Sequence, residues 1–355
     1  MSSVLFDGRY INDRYHGIGR YAFHLLLELA QALPSASFTV LRDPVLPDTR
    51  FAWEELTALN NVALRDVSAP PFSAREQAVV SREAARSRAR LYHTPYFALP
   101  WAIPRPSVVT VHDCIFEHDP RYMPRRWGRA YYRLLMNASL RRARFVVVPS
   151  RATAADLRHF YGLDSRKIVV TPEAAGGTFR PISDEGALEG ARRRYGLDKP
   201  FVLAVGARRP HKNFGILARA FAELHAPNAE LVFVGEADAR FPDDSSLTAG
   251  VAQGRVRFLG KVPEDDLPLL YNLATLFASP SLIEGFGLPV LEAMSCGTPV
   301  ICSDIPVFRE VTADAALLVE PKQTSAWAAA IARALQDEDM RPGLRDAGLR
   351  RAATF

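Results

Sequence analysis

Two carboxylates flank a short glycine-containing turn in the sequence SPSLIEGFGLPVLEAMSCGTP, which spans residues 279–299. Glu284 precedes the turn, Gly285 and Gly287 form it, and Glu292 follows eight positions after Glu284. Because glycine has no Cβ atom, a ligand can approach the main chain closely there. One carboxylate could then face the reacting end of a ligand and the other a more distant hydroxyl pair. Equally, such turns are common, and both glutamates could be solvated surface residues.

The residues after this turn predict a short helix from about Pro289 to Cys296. Proline favours the first helical position, and Gly297 is of the type that commonly follows a helix end. The first N–H groups of a helix have no intrahelical partner and carry the positive end of the helix dipole. The helix start near Leu288 is therefore a candidate site for an anionic phosphate.

Cationic side chains follow a strand-like run in the sequence GARRPHKN, residues 206–213. Two or three cations at the carboxyl end of a strand can neutralise a diphosphate and stabilise it as a leaving group. Arg208 and Lys212 are the preferred candidates, with Arg209 as the alternative to Arg208. A solvated basic loop would contain the same residues.

The first half of the chain contributes a glycine pair and two histidines. Gly17 and Gly19 open a helix and would let a pyrophosphate approach its start, although a tight turn explains them as well. His112 ends a strand-like run and could contact a substrate or hydrogen-bond locally. Asp113 is a candidate for orienting an acceptor or the imidazole, and His93, which we also expect at a strand end, for a peripheral contact.

Strand-like and helix-like runs alternate through both halves of the chain, which indicates parallel sheets covered on both faces. A polar interval at residues 182–200 predicts a linker. We therefore expect two doubly wound domains, 1–181 and 182–355, that bind their ligand in the cleft between them. The predicted strands are 3–7, 38–41, 107–111, 145–149, 201–205, 231–234, 256–258, 276–278 and 300–302, and the first helix is predicted over about 20–33.

Composition fits a soluble protein of two domains, because the 355 residues are 48% hydrophobic and 23% charged. The sequence contains no run of eighteen apolar residues and opens directly on a strand, so we expect a cytoplasmic protein without a secretory signal. Three cysteines without Cys-x-x-Cys spacing predict neither a disulfide framework nor a zinc site. Residues 337–339, Asp-Glu-Asp, predict a surface turn, so no metal is expected.

A basic segment at residues 121–144 contains eight arginines and no acidic residue, interleaved with aromatic and aliphatic side chains. This pattern is typical of an amphipathic helix that binds anionic lipid, and an ordinary surface helix is the alternative. The net charge of +5 is compatible with anionic lipids or phosphorylated substrates. We expect no nucleic-acid partner.

The stretch 279–299 resembles the Glu-x7-Glu signature of retaining glycosyltransferases of family 4, which have the GT-B fold. Two further sites extend the resemblance: Asp7 with the sequence GIGRY, and Lys212-Asn213. Ala207 stands where the family commonly has its arginine, so Arg208 or Arg209 would replace it. Within the signature the agreement covers Pro280, Gly287, Pro289, Ala293, Gly297 and Pro299.

The resemblance implies a metal-independent hexosyltransferase of polysaccharide biosynthesis. It would move a mannosyl or related sugar from a nucleotide diphosphate sugar, such as GDP-mannose, to a glycan or polyprenyl-linked acceptor. The implied residues are His112, Glu284, Lys212 and Arg208 for catalysis, Gly17, Gly19, Gly285, Phe286, Gly287, Leu288, Glu292 and Val262 for the donor, and Asp113 and His93 for the acceptor side.

Other functions would fit the same fold. A GT-B epimerase would rebuild its nucleotide sugar without an acceptor, and a phosphorylase would use a lysine-bound pyridoxal phosphate. A catalytically silent subunit of a polysaccharide assembly complex is the third alternative. Family members usually continue beyond the residues that correspond to 350–355 into a helix that crosses back to the first domain, so we expect this crossover helix to be missing.

Overall fold

All strand pairs in the described residues are parallel, and the strands form two sheets. The computed structural model describes residues 3–123, 126–224 and 228–355, without the side chains of His16, Arg126 and Trp127. The strands are β1 (Ser3–Asp7), β2 (Ser37–Arg42), β3 (Val62–Asp66), β4 (Leu91–Thr94), β5 (Ser107–Thr110), β6 (Phe145–Val148), β7 (Ile168–Val170), β8 (Phe201–Val205), β9 (Glu230–Val234), β10 (Val256–Gly260), β11 (Leu276–Ser279), β12 (Val300–Ser303) and β13 (Leu317–Val319).

Residues 95–106 join β4 to β5 without a helix, and helices connect the other successive strands of each sheet. They are α1 (His16–Ala32), α2 (Trp53–Thr57), α3 (Ala74–Arg86), α4 (Ile115–His118), α5 (Arg126–Arg142), α6 (Arg151–Tyr161), α7 (Glu185–Tyr195), α8 (Phe214–Glu223), α9 (Ser245–Ala252), α10 (Leu267–Leu273), α11 (Leu288–Ser295), α12 (Pro306–Thr312), α13 (Thr324–Gln336) and α14 (Met340–Ala352). The chain divides into two units. The first contains Met1–Cys114, Arg126–Pro149 and Thr153–Thr171, and the second contains Ile115–Arg125, Ser150–Ala152 and Pro172–Phe355.

The strand orders are those of doubly wound sheets. The seven-stranded sheet has the order β3-β2-β1-β4-β5-β6-β7, and the six-stranded sheet has the order β10-β9-β8-β11-β12-β13. The chain direction across the sheet reverses between β1 and β4 and between β8 and β11. Open α/β sheets bind ligands beyond the carboxyl ends of the strands at such reversal points. The loops that follow β8 and β11 are therefore expected to contain the site of the second unit.

Both faces of the second sheet are buried, as the continuous apolar strands predict. Phe201 and Leu203 of β8 belong to one apolar cluster, while Val202 and Ala204 belong to the other. Alternate residues of a strand point to opposite faces, so each face packs on its own helical layer. This arrangement fixes the register of β8 and thereby the position of the loop that follows it.

The predicted strands are confirmed, with ends that shift by one or two residues. Three edge strands, β3, β7 and β13, were not predicted, because a short run does not by itself distinguish a strand from a helix, and β4 was predicted only through the strand end expected at His93. The first helix begins at His16 and not near Arg20. Gly17 and Gly19 therefore lie inside its first turn.

The predicted linker at 182–200 is wrong for most of its length, because residues 185–195 form α7. Tyr195 at the end of this helix donates a hydrogen bond to the Oδ2 of Asp266 at 2.5 Å, and Arg194 pairs with the same carboxylate at 2.7 Å. The run of arginines that suggested a linker lies near the helix end, where cations favour the dipole. Residues 171–184, all of them described, contain neither helix nor strand.

A buried ion network follows β1 in the first unit. The Arg9 guanidinium, 1% exposed, donates to both Asp7 oxygens at 2.8 and 2.6 Å and to the Oε1 of Glu76 at 2.7 Å. It also donates to the carbonyl oxygen of Ala69 at 2.6 Å, and the Tyr92 hydroxyl donates to Asp7 at 2.6 Å. The network ties the end of β1 to β4 and to the segment before α3.

Replacing Arg9 by methionine would leave the carboxylates of Asp7 and Glu76 buried without a cation. We expect the free energy of unfolding in urea to fall by about 3–5 kcal/mol, because breaking a buried pair leaves uncompensated charge. The control is Arg166→Met, since Arg166 pairs with Asp164 at the surface, and its unfolding midpoint should match the parent. An Arg9→Met protein as stable as the parent would contradict this structural role.

Candidate active site

A partly buried ion pair joins the loops that follow the neighbouring strands β8 and β11. The Nζ of Lys212 lies 2.5 Å from the Oε1 of Glu284, and the Ser281 hydroxyl donates to the same oxygen at 2.7 Å. The side chains of Lys212 and Glu284 are only 17% and 11% exposed. The structure thus brings together two of the four predicted catalytic residues at the reversal point of the second sheet.

The electrostatics of this pair favour the ionised form of Glu284. Burial alone would raise the pKa of Glu284, but the charge of Lys212 and the hydrogen bonds to the carboxylate outweigh it, so the pKa is lowered. The neighbouring His211 is buried next to Lys212, and these two effects lower its pKa to about 4. His211 is therefore neutral at pH 7 and adds no charge to the pair.

The side chain of Asn213 links the loop after β8 to the loop after β11. Pro210–Lys212 form a 3₁₀ turn, and Asn213 follows it in a left-handed conformation with φ of 53°. The side-chain amide of Asn213 donates to the carbonyl oxygens of Pro280 and Pro321 at 3.2 and 2.8 Å. Sequence analysis named Asn213 only within the Lys212-Asn213 resemblance, and asparagine is a residue type that tolerates this conformation.

The predicted helix after the glycine turn is confirmed as α11, one residue earlier than expected at each end. Gly287 precedes it with φ of +98°, and a Cβ atom there would overlap the ring of Phe308. Only glycine satisfies both conditions. Among the described residues no side chain caps this helix start, which leaves it suited to an anionic ligand.

Glu292 is buried inside α11, so the interpretation of both glutamates as solvated surface residues is wrong. It is 3% exposed, and the Tyr271 hydroxyl donates to its Oε2 at 3.0 Å. Tyr271 is itself held by Thr298, which donates to its carbonyl oxygen at 2.7 Å. Tyr271 is a site residue that sequence reasoning missed, since an apolar helical position gave no signal for it.

Both candidate arginines pair with aspartates in the segment after β9. The Nε of Arg208 donates to the Oδ1 of Asp243 at 2.9 Å, and its guanidinium carbon lies 4.4 Å from the centre of the Phe258 ring. The Nε of Arg209 donates to the Oδ2 of Asp238 at 2.9 Å. The Arg208 side chain is 16% exposed and that of Arg209 42% exposed. The preference for Arg208 as a diphosphate ligand stays a prediction.

Three other donor-side candidates have side chains in or against one apolar cluster of the second unit. Phe286 is 4% exposed, and its ring contacts that of Phe355 at a centroid distance of 5.6 Å. Val262 packs against the same apolar cluster, as does Leu288. Any contact of Phe286 with a donor would therefore come from its main chain.

In the first unit, His112 follows β5 and contacts two aromatic rings. Its Nε2 lies 2.9 Å from the carbonyl oxygen of Pro95, and its ring meets that of Tyr21 edge-on at 4.7 Å. The Tyr96 ring lies 6.3 Å away. These contacts fix the orientation of the imidazole, and its predicted contact with a sugar stays a prediction. Asp113, next to it, is half-buried.

The remaining candidates of the first unit have different surroundings. A Cβ atom on Gly19 would lie 2.8 Å from the carbonyl oxygen of Tyr10, whereas the space beside Gly17 is open. His93 lies within β4 and is 8% exposed, with its ring edge-on to Phe6 at 5.1 Å. Burial lowers the pKa of His93 to about 4, so the ring is neutral at pH 7. Because His93 is buried, its predicted peripheral contact with the acceptor gains no support from the structure and stays a prediction.

Neither a cluster of metal ligands nor a membrane-spanning helix occurs among the described residues. Within residues 3–123, 126–224 and 228–355, no three His, Cys, Asp or Glu side chains are grouped so that they could hold a metal ion. Residues 337–339 lie in the turn between α13 and α14, where Asp337 accepts from the Met340 amide at 2.9 Å. None of the helices described is both long and apolar enough to cross a membrane.

Comparison with known proteins identifies the family. A family model described as glycosyltransferase family 4 matches residues 15–174, and one described as glycosyl transferases group 1 matches residues 191–351. The O-antigen chain mannosyltransferase B of Escherichia coli is 33% identical over 269 residues, which are 75% of this chain and 70% of that protein. The chain belongs to the family 4, group 1 glycosyltransferases.

Solved structures of similar proteins bear on the fold of this glycosyltransferase. The sucrose-phosphate synthase of Thermosynechococcus elongatus superposes with a TM-score of 0.77 at 23% identity, covering 100% of this chain and 94% of that one. Anabaena HepE in complex with UDP and glucose gives a TM-score of 0.76 at 20% identity, covering 100% and 95%. Together with the two parallel sheets, these likenesses confirm the predicted GT-B fold.

Replacing Lys212 by methionine should reverse the direction of the Glu284 pKa shift. In the parent the lowered pKa adds stability above the unfolded-state pKa, and this is lost as the pH falls through the folded-state pKa. In the variant the Ser281 hydrogen bond still opposes burial, but burial prevails and raises the pKa, so ionised Glu284 destabilises the fold at neutral pH. We expect the difference in unfolding free energy to be large at pH 7 and to shrink as the pH falls through the raised pKa of the variant and then the lowered pKa of the parent.

Urea titrations from pH 3 to pH 8 measure this difference, and Lys199→Met, at an exposed lysine, is the matched control. A pH-independent difference between the parent and Lys212→Met would contradict the coupling of these two charges.

Proposed function

We propose that this glycosyltransferase moves a mannosyl group, with retention of anomeric configuration, from a nucleotide diphosphate sugar to a glycan or polyprenyl-linked acceptor. The Lys212–Glu284 pair at the reversal point of the second sheet carries the proposal. Support for the sugar and the polysaccharide context comes from the relative named O-antigen chain mannosyltransferase B. Support for a nucleotide donor comes from the neighbour solved with UDP and glucose.

Negative charge develops on the departing diphosphate when the anomeric C–O bond lengthens. Lys212 would stabilise that charge, because an ammonium has three donors and can bind a phosphate while it remains paired with Glu284. Arg208 and the uncapped start of α11 would provide further stabilisation. Arg208 would have to share its guanidinium with Asp243 or exchange that partner for phosphate.

The remaining residues would hold the donor sugar, the ribose and the acceptor. Glu284 would bind the sugar hydroxyl groups, and Glu292, oriented by Tyr271, would bind the ribose. His112 would contact the transferred sugar from the first unit. For front-side attack, the leaving phosphate oxygen would accept the acceptor proton. The cations present need no metal ion for this charge balance, so we propose a metal-independent reaction.

Glu284→Gln should slow transfer strongly while donor binding persists. We expect the transfer rate to fall by about 10²–10³-fold, as for the loss of one preorganised charged contact, while nucleoside diphosphate binding persists. Thermal shifts with GDP and UDP measure binding, and NMR of the product from GDP-mannose measures transfer and anomeric configuration. Glu223→Gln, at an exposed glutamate, is the control.

Parental activity in Glu284→Gln, or an inverted product, would contradict this mechanism. Sugar released or epimerised at the same rate with and without acceptor would instead favour a GT-B epimerase. Phosphate-dependent release would favour a phosphorylase. Nucleotide binding without any turnover would favour a catalytically silent subunit.

We further propose that the protein is cytoplasmic and binds the inner face of an anionic membrane through α5. Tyr131 and Leu134 on this helix are 49% and 60% exposed, and Arg133 and Arg141 are exposed beside them. Exposed apolar side chains among cations suit the interface of an acidic bilayer. Pro124 and Arg125 of the basic segment 121–144 lie outside the described residues.

Replacing both Tyr131 and Leu134 by serine should remove the protein from floated liposomes that contain phosphatidylglycerol. We expect the parent to float with these vesicles and to be released by high salt, because screening weakens the arginine contribution. Val251→Ser removes a similarly exposed apolar side chain from the second unit and should float normally. A parent that never floats with acidic vesicles would contradict membrane association.

A further inference from the structure

The carbonyl group of Gly285, the residue after Glu284, accepts a hydrogen bond from a buried serine that is distant in the sequence. We call residues 284–287 the acidic loop. The Oγ of Ser150 donates to the carbonyl oxygen of Gly285 at 2.6 Å, and Ser150 is fully buried. Ser150 belongs to the second unit together with the loop that it contacts. Sequence reasoning gave it no role, because a serine after a strand is an ordinary turn residue.

The short segment that contains Ser150 is itself fixed by a carboxylate. The amides of Arg151 and Ala152 donate to the two oxygens of Glu310 at 2.8 and 3.2 Å. Glu310 lies in α12, and its carbonyl oxygen accepts from the Nη2 of Arg351 at 2.7 Å. Arg351 also donates from Nε to the carbonyl oxygen of Val311 at 2.8 Å. The two residues after Ser150 are therefore hydrogen-bonded to α12 of the second unit.

An aromatic contact supports the same loop. The ring of Phe286 meets the ring of Phe355 edge-on, with the centroids 5.6 Å apart and the planes at 80°. The guanidinium carbon of Arg351 lies 4.7 Å from the centre of the Phe355 ring. Arg351 thus takes part in the support of both Ser150 and Phe355.

We propose that Ser150 is a positioning residue that sets the placement of the Glu284 carboxylate, with Phe355 as a second support. Lys212 and Ser281 hold this carboxylate at its side-chain end, whereas Ser150 holds the Gly285–Phe286 peptide, one residue further along the main chain. These contacts restrain both the carboxylate and the main chain beside it. The role in catalysis rests on the function proposed above, but the role in loop order does not.

The chemistry explains why such support matters. Positioned groups lose much of their effect when they move by about 1 Å, even if the distant change leaves the fold intact. Loss of the Ser150 hydroxyl would remove a donor from the Gly285 carbonyl and free the peptide between Gly285 and Phe286 to rotate. Donor binding would be affected less, because Lys212 and the start of α11 do not depend directly on this contact.

Ser150→Ala and Ser150→Thr in the full chain test the proposal, with Ser303→Ala as the matched control. Ser303 is a buried serine of the same unit whose hydroxyl has no hydrogen-bond partner among the described residues. Amide hydrogen exchange of peptides covering residues 284–291 reports loop order without any need for activity. Donor kinetics with GDP-mannose separate kcat from KM.

We expect Ser150→Ala to raise exchange in these peptides at least about tenfold and to lower kcat about tenfold while the donor KM changes less than about threefold. Ser150→Thr keeps the hydroxyl and should recover most of both values. Phe355→Ala should also raise exchange in the acidic loop, which provides a second variant if Ser150→Ala does not fold.

Parental exchange in both Ser150→Ala and Phe355→Ala would overturn the proposal, as would an equal effect of Ser303→Ala. Raised exchange with an unchanged kcat would overturn the positioning role. Absence of transfer in the parent protein would count against the proposed function, while the exchange data would still decide whether Ser150 orders the loop.

Discussion

The Lys212–Glu284 ion pair is the interaction on which the arrangement of the second unit depends. Two oppositely charged groups, each less than one-fifth exposed, lie 2.5 Å apart where two loops meet. Desolvation of both charges has to be offset by their attraction and by further hydrogen bonds. Ser281 donates one such bond, and Asn213 keeps the two loops in contact through its side-chain amide, which donates to the Pro280 carbonyl oxygen. Strand order, turn conformation and the glycine before α11 all serve to place this pair.

Each candidate cation of the site is paired with a carboxylate. Glu284 neutralises Lys212, and Asp243 and Asp238 neutralise Arg208 and Arg209. A diphosphate would add negative charge to a site that is already balanced. Lysine can keep its carboxylate partner and still donate to phosphate, whereas each arginine must share or exchange its partner. Affinity for a nucleotide would therefore depend on the segment that contains Asp238 and Asp243.

The sequence predicted the main parts of the fold and of the site because those parts depend on local patterns. Continuous apolar strands identified the doubly wound sheets, and Pro289 with Gly297 identified α11 to within one residue. Contacts between distant segments left no such pattern. Tyr271 beside Glu292, and Ser150 beside Gly285, occupy positions that look like ordinary core and turn residues. The arginine-rich interval was misread because surface charge on a helix and charge in a linker have the same composition.

The signs of the two charges in the Lys212–Glu284 pair match the charges that develop in the proposed reaction. Positive charge develops on the sugar ring and negative charge on the leaving diphosphate as the C–O bond lengthens. A carboxylate facing the sugar and an ammonium facing the phosphate would stabilise the two ends at once, with little reorganisation. The lowered pKa of Glu284 keeps its charge available across the neutral range. A neutral residue in either place would leave its partner buried without compensation, so charge placement and loop stability have the same origin.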